Sequence, residues 1–353
     1  MKAYIRSGIA ISPQDTYQEG LFQGSPLQPA QSRMKCMEPD YKEIINPAVS
    51  RRMSRIVKMG IAAALKSLKE AGIEKPDAII TGTGLGCMED TGTFLSSMIK
   101  NKEQFLTPTA FIQSTHNTIA GQIALMLKCN NYNFAYVHRG FSFENALLDA
   151  TMMLQNGEAK NVLLGGIDEI TNDYFNITSR MGLWKTNVPP DTDAFRLKSR
   201  GTLAGEGSVF FTLQSNSDGA SAMFNGLEML YKPGSSQEIA DGINRLLETA
   251  GLTINEIDAV MPGCNGWPKY DKLYKPLAET LFNGKPLLGF KHLCGEYMTA
   301  SSFAAWLSSA ILKNRKVPEG VQLAGPPMKD YKHILIYNHY MGVDHTLMLV
   351  SAC

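Results

Sequence analysis

The chain has 353 residues, 44% hydrophobic and 19% charged, enough apolar content for one large core or two fused ones and too much for intrinsic disorder. A formal net charge of +1 gives no overall electrostatic drive toward nucleic acid or an anionic membrane, so neither is expected as a partner. No apolar run approaches the roughly 18 residues of a membrane span, and the six cysteines, at 36, 87, 129, 264, 294 and 353, form no CxxC pair; no metal, cofactor or disulfide framework is expected, and a reducing cytoplasm is the compartment inferred.

Short β-branched and apolar runs alternate with amphipathic stretches throughout, the pattern of an α/β protein whose sheets are covered on both faces. It predicts strand 2–9, helix 50–72, strand 77–83, helix 116–128, strand 133–137, helix 141–156 and strands 161–166 and 207–213. In the 50–72 helix Ile56, Met59, Ala63 and Leu68 share a stripe, and Gly72 stops it. The pattern then recurs: strand 219–228, helix 235–250, strand 257–261, helix 270–281, strand 286–289, helix 299–313 and strands 333–338 and 345–351. With no Pro/Gly/Ser-rich linker between the two runs, an internal duplication is expected, its halves 1–213 and 214–353 packed as one body.

Residues 131–150, NYNFAYVHRGFSFENALLDA, carry the most chemistry. A strand runs into a helix through a tight turn, where acyl-transfer enzymes hold a nucleophile against a helix N-terminus. Gly140 occupies that elbow, flanked by His138 and Ser142. An imidazole beside a hydroxyl at a helix start suggests a substitute acyl-transfer pair, but Ser142 is read more simply as a first-turn residue satisfying free amides, with Glu144 and Asn145. His116 is read as a cap of the 116–128 helix.

Several stretches together resemble the β-ketoacyl synthase branch of the thiolase fold over nearly the whole chain. They are RRMSRIVKMGIAAALKSLKEAG (51–72), TGTGLG (81–86), TPTAF (107–111) with QSTHNTIAGQIAL (113–125), LLGGIDE (163–169) and FRLKSRGTLAGEGSVFFTL (195–213). The resemblance implies a thiolase-like five-layer α-β-α-β-α sandwich of two duplicated halves. It also implies a Cys-His-His site, from which this chain departs three times. Gly140 stands at the acylated cysteine, and GCNGWPKYD (263–271) resembles the first histidine's loop, with Gly263 at the histidine and Asp271 retained. KHLCGE (291–296) resembles the second histidine's segment, keeping Lys291 and Gly295 but carrying Glu296 at the histidine. NHYMGVDHTLMLV (338–350) stands in place of a glycine-rich loop.

A ketosynthase acylates its cysteine and uses the histidines to promote decarboxylation and stabilise the developing enolate. Glycine forms no thioester, and a carboxylate repels an enolate. The pattern therefore resembles chain-length factors, silent subunits that pair with an active ketosynthase and work with acyl carrier protein to bound a fatty-acid, polyketide or aryl-polyene chain. On this reading the chain forms a heterodimer, or a homodimer, through the strand before the elbow, where Tyr132, Phe134 and Tyr136 line one face. Phe141 and Phe143 would cap a tunnel across that interface. Lys291, Glu296 and Glu206 are read as a buried ionic network, and Cys264 and Cys294 as inert thiols. Two rival readings are an active β-ketoacyl synthase or acyltransferase using His138, Ser142 or Glu296 as substitutes, and a self-associating scaffold with no acyl ligand.

Overall fold

A computed structural model describes residues 2–18, 20–27, 32–186, 188, 199–328 and 330–353. The opening residues 195–198 of the FRLKSRG segment therefore lie outside the described residues. The first half runs β1 (Ala3–Ile11), α1 (Pro47–Ser50), α2 (Arg55–Ala71), β2 (Ala78–Gly82), α3 (Met88–Lys100), α4 (Pro108–Gln113), α5 (Thr118–Leu127), β3 (Tyr132–Tyr136), α6 (Ser142–Gln155), β4 (Asn161–Asp168), α7 (Asn172–Arg180) and β5 (Gly207–Gln214). The second runs β6 (Ala222–Tyr231), α8 (Ser236–Ala250), β7 (Ala259–Pro262), α9 (Pro268–Asp271), α10 (Lys275–Glu279), β8 (Leu287–Leu288), α11 (Lys291–Cys294), α12 (Ala300–Asn314), β9 (Gln322–Ala324), β10 (His333–Tyr340) and β11 (Asp344–Ala352).

The strand order is β3-β2-β4-β5-β1-β6-β11-β10-β7-β8-β9. With β9 set aside, it is one five-strand order written twice, the second copy reversed about the β1–β6 junction. Pairing senses repeat as well: β2 is parallel to β3 and β4, as β7 is to β8 and β10, while the β4–β5, β5–β1, β10–β11 and β11–β6 pairs are antiparallel. The strands of the two sheets join through the short β1–β6 register at Ala3↔Phe224, Tyr4↔Met223 and Ile5↔Ala222.

Period-two alternation sorts the strand side chains into layers. From β4, Leu163 faces the outer cluster with α2 and α5, while Val162 and Leu164 face the centre. From β10, Leu335 and Tyr337 face the second outer cluster with α8, while Ile334 and Ile336 face the centre. The central cluster holds α6 and α12, and α12 is buried around almost its whole circumference, as a helix between two sheets must be. The layers are thus α2/α5, sheet, α6/α12, sheet and α8/α10.

The predicted 50–72 helix starts later, at Arg55, and ends as expected on Gly72 with φ 71°. The predicted 270–281 helix is two separate turns, because Pro276 cannot continue the hydrogen-bond ladder from α9. Helices α3 and α4, which the sequence pattern did not suggest, bury no residue.

Glycines let backbones touch both between the halves and within the first. A Cβ on Gly205 would overlap the Cys294 carbonyl, and one on Gly82 would overlap the Ser142 carbonyl at the start of α6. We expect Gly205→Ala to lower the thermal midpoint sharply or abolish folding. Gly92→Ala, in α3 with open space around it, should be neutral or stabilise by up to about 1 kcal/mol through helix propensity. Thermal denaturation of the two variants tests both.

Candidate functional site

The elbow lies between the end of β3 and the start of α6. Its left-handed residue is Arg139, with φ 48°, so Gly140 is not needed for a special backbone angle. It is needed for space: a Cβ there would lie 2.5 Å from Tyr340 Cβ and 3.1 Å from Asp344 Cβ. The Gly140 N–H donates to Asp344 Oδ2 at 3.2 Å, so a carboxylate from β11 takes the elbow amide. His138 and Arg139 are exposed beside it; burial raises the Asp344 carboxyl above its ordinary range, against the downward pull of the Gly140 N–H bond.

Ser142 is fully occupied. Its Oγ accepts from the His138 backbone N–H at 2.8 Å and donates to the Arg139 carbonyl at 2.8 Å. The His138 ring turns away, with Nδ1 3.1 Å from Asn145 Nδ2 and its edge against Phe141. Imidazole and hydroxyl therefore do not form a proton-relay pair in this geometry. His116 does not cap α5 either: the N-cap is Asn117, and the His116 ring stands over the Gly86 turn.

In the second half, a Cβ on Gly263 would overlap Asn338 Oδ1 and come 2.9 Å from Tyr274 Oη. Asp271 shapes this loop by accepting from the Asn265 N–H at 2.8 Å and the Gly266 N–H at 3.0 Å. Glu296, 1% exposed, accepts from Lys291 Nζ at 2.9 and 2.7 Å and from Asn265 Nδ2 at 2.7 Å. Glu206 is not part of that pair. It holds Arg55 through two bonds, at 2.8 and 2.6 Å, and accepts from the Cys36 and Ile170 N–H groups. The expected three-residue network is thus two networks, because Arg55 at the start of α2 reaches Glu206 first. Burial pushes the Cys264 and Cys294 thiols up, away from the thiolate form.

Residues 27–189 match the family described as beta-ketoacyl synthase, N-terminal domain. The whole chain also superposes on solved structures of that kind. The ishigamide ketosynthase/chain length factor gives a TM-score of 0.80 at 19% identity, covering 100% of this chain and 99% of that one. A β-ketoacyl synthase from Burkholderia phymatum STM815 gives 0.82 at 15% identity with the same coverage. A ketosynthase (ApeO) in complex with its chain length factor (ApeC) from Xenorhabdus doucetiae gives 0.74 at 14% identity, covering 99% and 98%. The chain thus shares the fold of these ketosynthase structures. No curated protein matches it.

Of the other residues singled out, Tyr132, Phe134 and Tyr136 lie on β3, the edge of the first sheet among the described residues. Tyr132 and Phe134 are 42% and 46% exposed, and successive ring centroids are 6.3 and 4.9 Å apart. Phe141 is buried under His138. Phe143 is fully buried in the central core, 6.1 Å from the Phe211 ring. It is a packing residue between the sheets, not an element of an open interface.

Two features escaped the sequence reading. Asp168, at the end of the quoted LLGGIDE stretch, accepts from Thr83 Oγ1 and the Gly84 and Leu85 N–H groups on one oxygen, and from Thr299 N–H and Oγ1 on the other. It thereby ties the TGTGLG turn to the start of α12. Tyr274, Tyr337, His339 and His345 form a buried ring cluster behind Gly263, with Tyr274 stacked on His339 at 4.9 Å and Tyr337 Oη 3.0 Å from His345 Nδ1. Burial and the Lys291 charge hold His339 well below its ordinary range, so it stands neutral, and burial lowers His345 to about 4.

Breaking the Lys291–Glu296 pair from one side leaves a buried charge uncompensated. Lys291→Met should cost about 3–5 kcal/mol in denaturant unfolding, and adding Glu296→Met should recover most of it. Burial also raises Glu144, under the elbow, and Glu169 to about 7. Each binds its proton more tightly folded than unfolded, so stability falls as pH rises from the ordinary carboxyl range through about 7. Between pH 6.5 and 8 the loss should be about 1 kcal/mol per group. Glu144→Gln should remove roughly half of that slope in paired unfolding curves.

Proposed function

We propose that this chain is a chain-length-factor-like subunit, silent in condensation, that pairs with an active ketosynthase and with it handles acyl chains carried on an acyl carrier protein. The observation that carries the proposal is the filled elbow. Tyr340 occupies the space a side chain at 140 would need, and Asp344 takes the amide that would otherwise face a bound anion. The second-half positions support the same reading, since Asn338 and Tyr274 crowd Gly263, and Lys291 with Asn265 engages the Glu296 carboxylate. None of the three is poised to take up an acyl group or to donate to an enolate.

The pairing surface proposed is the β3 edge. Its unpaired backbone groups and exposed Tyr132 and Phe134 suit strand addition by a second chain of the same fold. Exposed Leu125 of α5 and Leu148 and Met152 of α6 extend the apolar area beside it. The similar solved structures include one described as a ketosynthase in complex with its chain length factor, and another as a type II acyl-carrier protein in complex with its ketosynthase. The compartment proposed is the cytoplasm. Among the described residues no helix is long and apolar enough to cross a membrane.

Co-expression with candidate ketosynthases, then intact-mass analysis of both chains after exposure to acyl carrier protein, tests the proposal. The expected result is a co-purifying pair in which only the ketosynthase gains an acyl mass, and loss of co-purification with Phe134→Lys. Acylation of this chain would overturn the silent-subunit reading. Persistence of a homodimer with no ketosynthase partner would favour the scaffold.

A further inference from the structure

The chain is almost neutral overall, yet one groove is not. An open groove of about 610 Å³ beside the start of β10 is lined by Lys313, Arg315, Lys332, Ser221, Tyr331 and His333, with the Asp330 side chain and the main-chain carboxyl group of Cys353 as the acids set against three cations. Lys313 and Arg315 come from the end of α12, and Lys332 from the approach to β10. Among the described residues, none of these three cations forms an ion pair within 4.0 Å.

The carbonyl end of α12 accounts for cations at 313 and 315, since positive charge offsets the helix dipole there. It does not account for Lys332, which approaches from another element. An adjoining smaller cavity shares Lys313 and Ser221 and adds Arg6 and Lys66. In that cavity Arg6 donates to the Asp218 carbonyl and Lys66 to the Tyr17 carbonyl. Of these two cavities, and among the described residues, the cations without an ion pair or a side-chain hydrogen bond line the larger groove. Unpaired like charges held within a Debye length of about 10 Å repel one another, a cost that a bound anion reverses.

We propose that this groove binds a phosphate-bearing ligand, with phosphate oxygens held by Arg315, Lys313 and Lys332 and the Ser221 hydroxyl at the rim. The forked guanidinium of Arg315 suits two oxygens of one phosphate, and the lysines supply point charges around it. Burial keeps His333 below its ordinary range, and its Nδ1 lies 2.8 Å from Ser351 Oγ, so its part is shape, not charge. The volume is that of a small-molecule site. It is distinct from the elbow: β10 runs from His333 to Tyr340, which places the groove about 20 Å away at 3.3 Å per residue.

Calorimetric titration of the full chain with pyrophosphate tests this, alongside flotation with phosphatidylcholine vesicles with and without phosphatidic acid. Pyrophosphate should bind with a submillimolar Kd. Lys313→Gln/Arg315→Gln/Lys332→Gln should weaken it about tenfold or more with circular dichroism unchanged, and Lys332→Gln alone should weaken it measurably. Binding only to the phosphatidic acid vesicles, lost in the same variant, would assign the phosphate to a lipid headgroup. Equal binding by wild type and variant, or binding of neither probe, would overturn the proposal.

Discussion

Residues 203–205 and 294–296 meet backbone to backbone, and the organisation of the whole site follows from that contact. The Glu296 N–H donates to the Leu203 carbonyl at 2.8 Å, and the Gly205 N–H returns a bond to the Glu296 carbonyl at 3.1 Å. Only a pair of glycines permits it, Gly205 without a Cβ and Gly295 with φ 75°. The bridge fixes Glu296 from one side and starts the run to Glu206 on the other. From Glu296 the order passes through Lys291 and Asn265 into the 263–271 loop. From Glu206 it passes through Arg55 into α2. Loops from opposite halves are therefore locked to one another by a few main-chain bonds before any side chain is considered.

What stands around that lock is coordinated. Two of the three positions singled out are filled from a single segment, 338–344: Asn338 crowds Gly263, while Tyr340 and Asp344 close on Gly140. The third is filled by its own neighbour, Lys291. The absence of side chains at 140 and 263 and the polar and aromatic bulk of the β10–β11 hairpin are thus two sides of one packing arrangement. Close packing explains why they go together, since an interior void forfeits dispersion contacts and an overfilled one strains its walls.

Much of the fold was legible because its elements carry period. Strands buried on both faces read as continuous apolar runs, and α2 and α8 show one-sided stripes. Helices α3 and α4 bury nothing and α7 only Thr178, so they contribute little to the core that the apolar pattern was read for. Pro276 was visible as a breaker, yet it was passed over inside an otherwise helical pattern. At the site, the resemblance pointed to Gly140, Gly263 and Glu296 but not to what packs on them, since Tyr340, Asn338 and Tyr274 arrive from elsewhere in the chain. Glu206 was given the wrong cation for the same reason: Arg55 lies 151 residues away in sequence. Phe143, two residues into a helix whose other face is solvent-exposed, gave no local sign that it points into the central core.

The bare aromatic edge at β3 also bears on supply. An unpaired strand accepts whatever strand arrives, including one from another copy of itself. Self-pairing rises with the square of the chain's own concentration, whereas pairing with a different chain rises with the product of the two. On the proposed pairing, the ratio at which the two chains are made, as much as the fit of their surfaces, sets how many copies end in mixed pairs and how many are lost to one another.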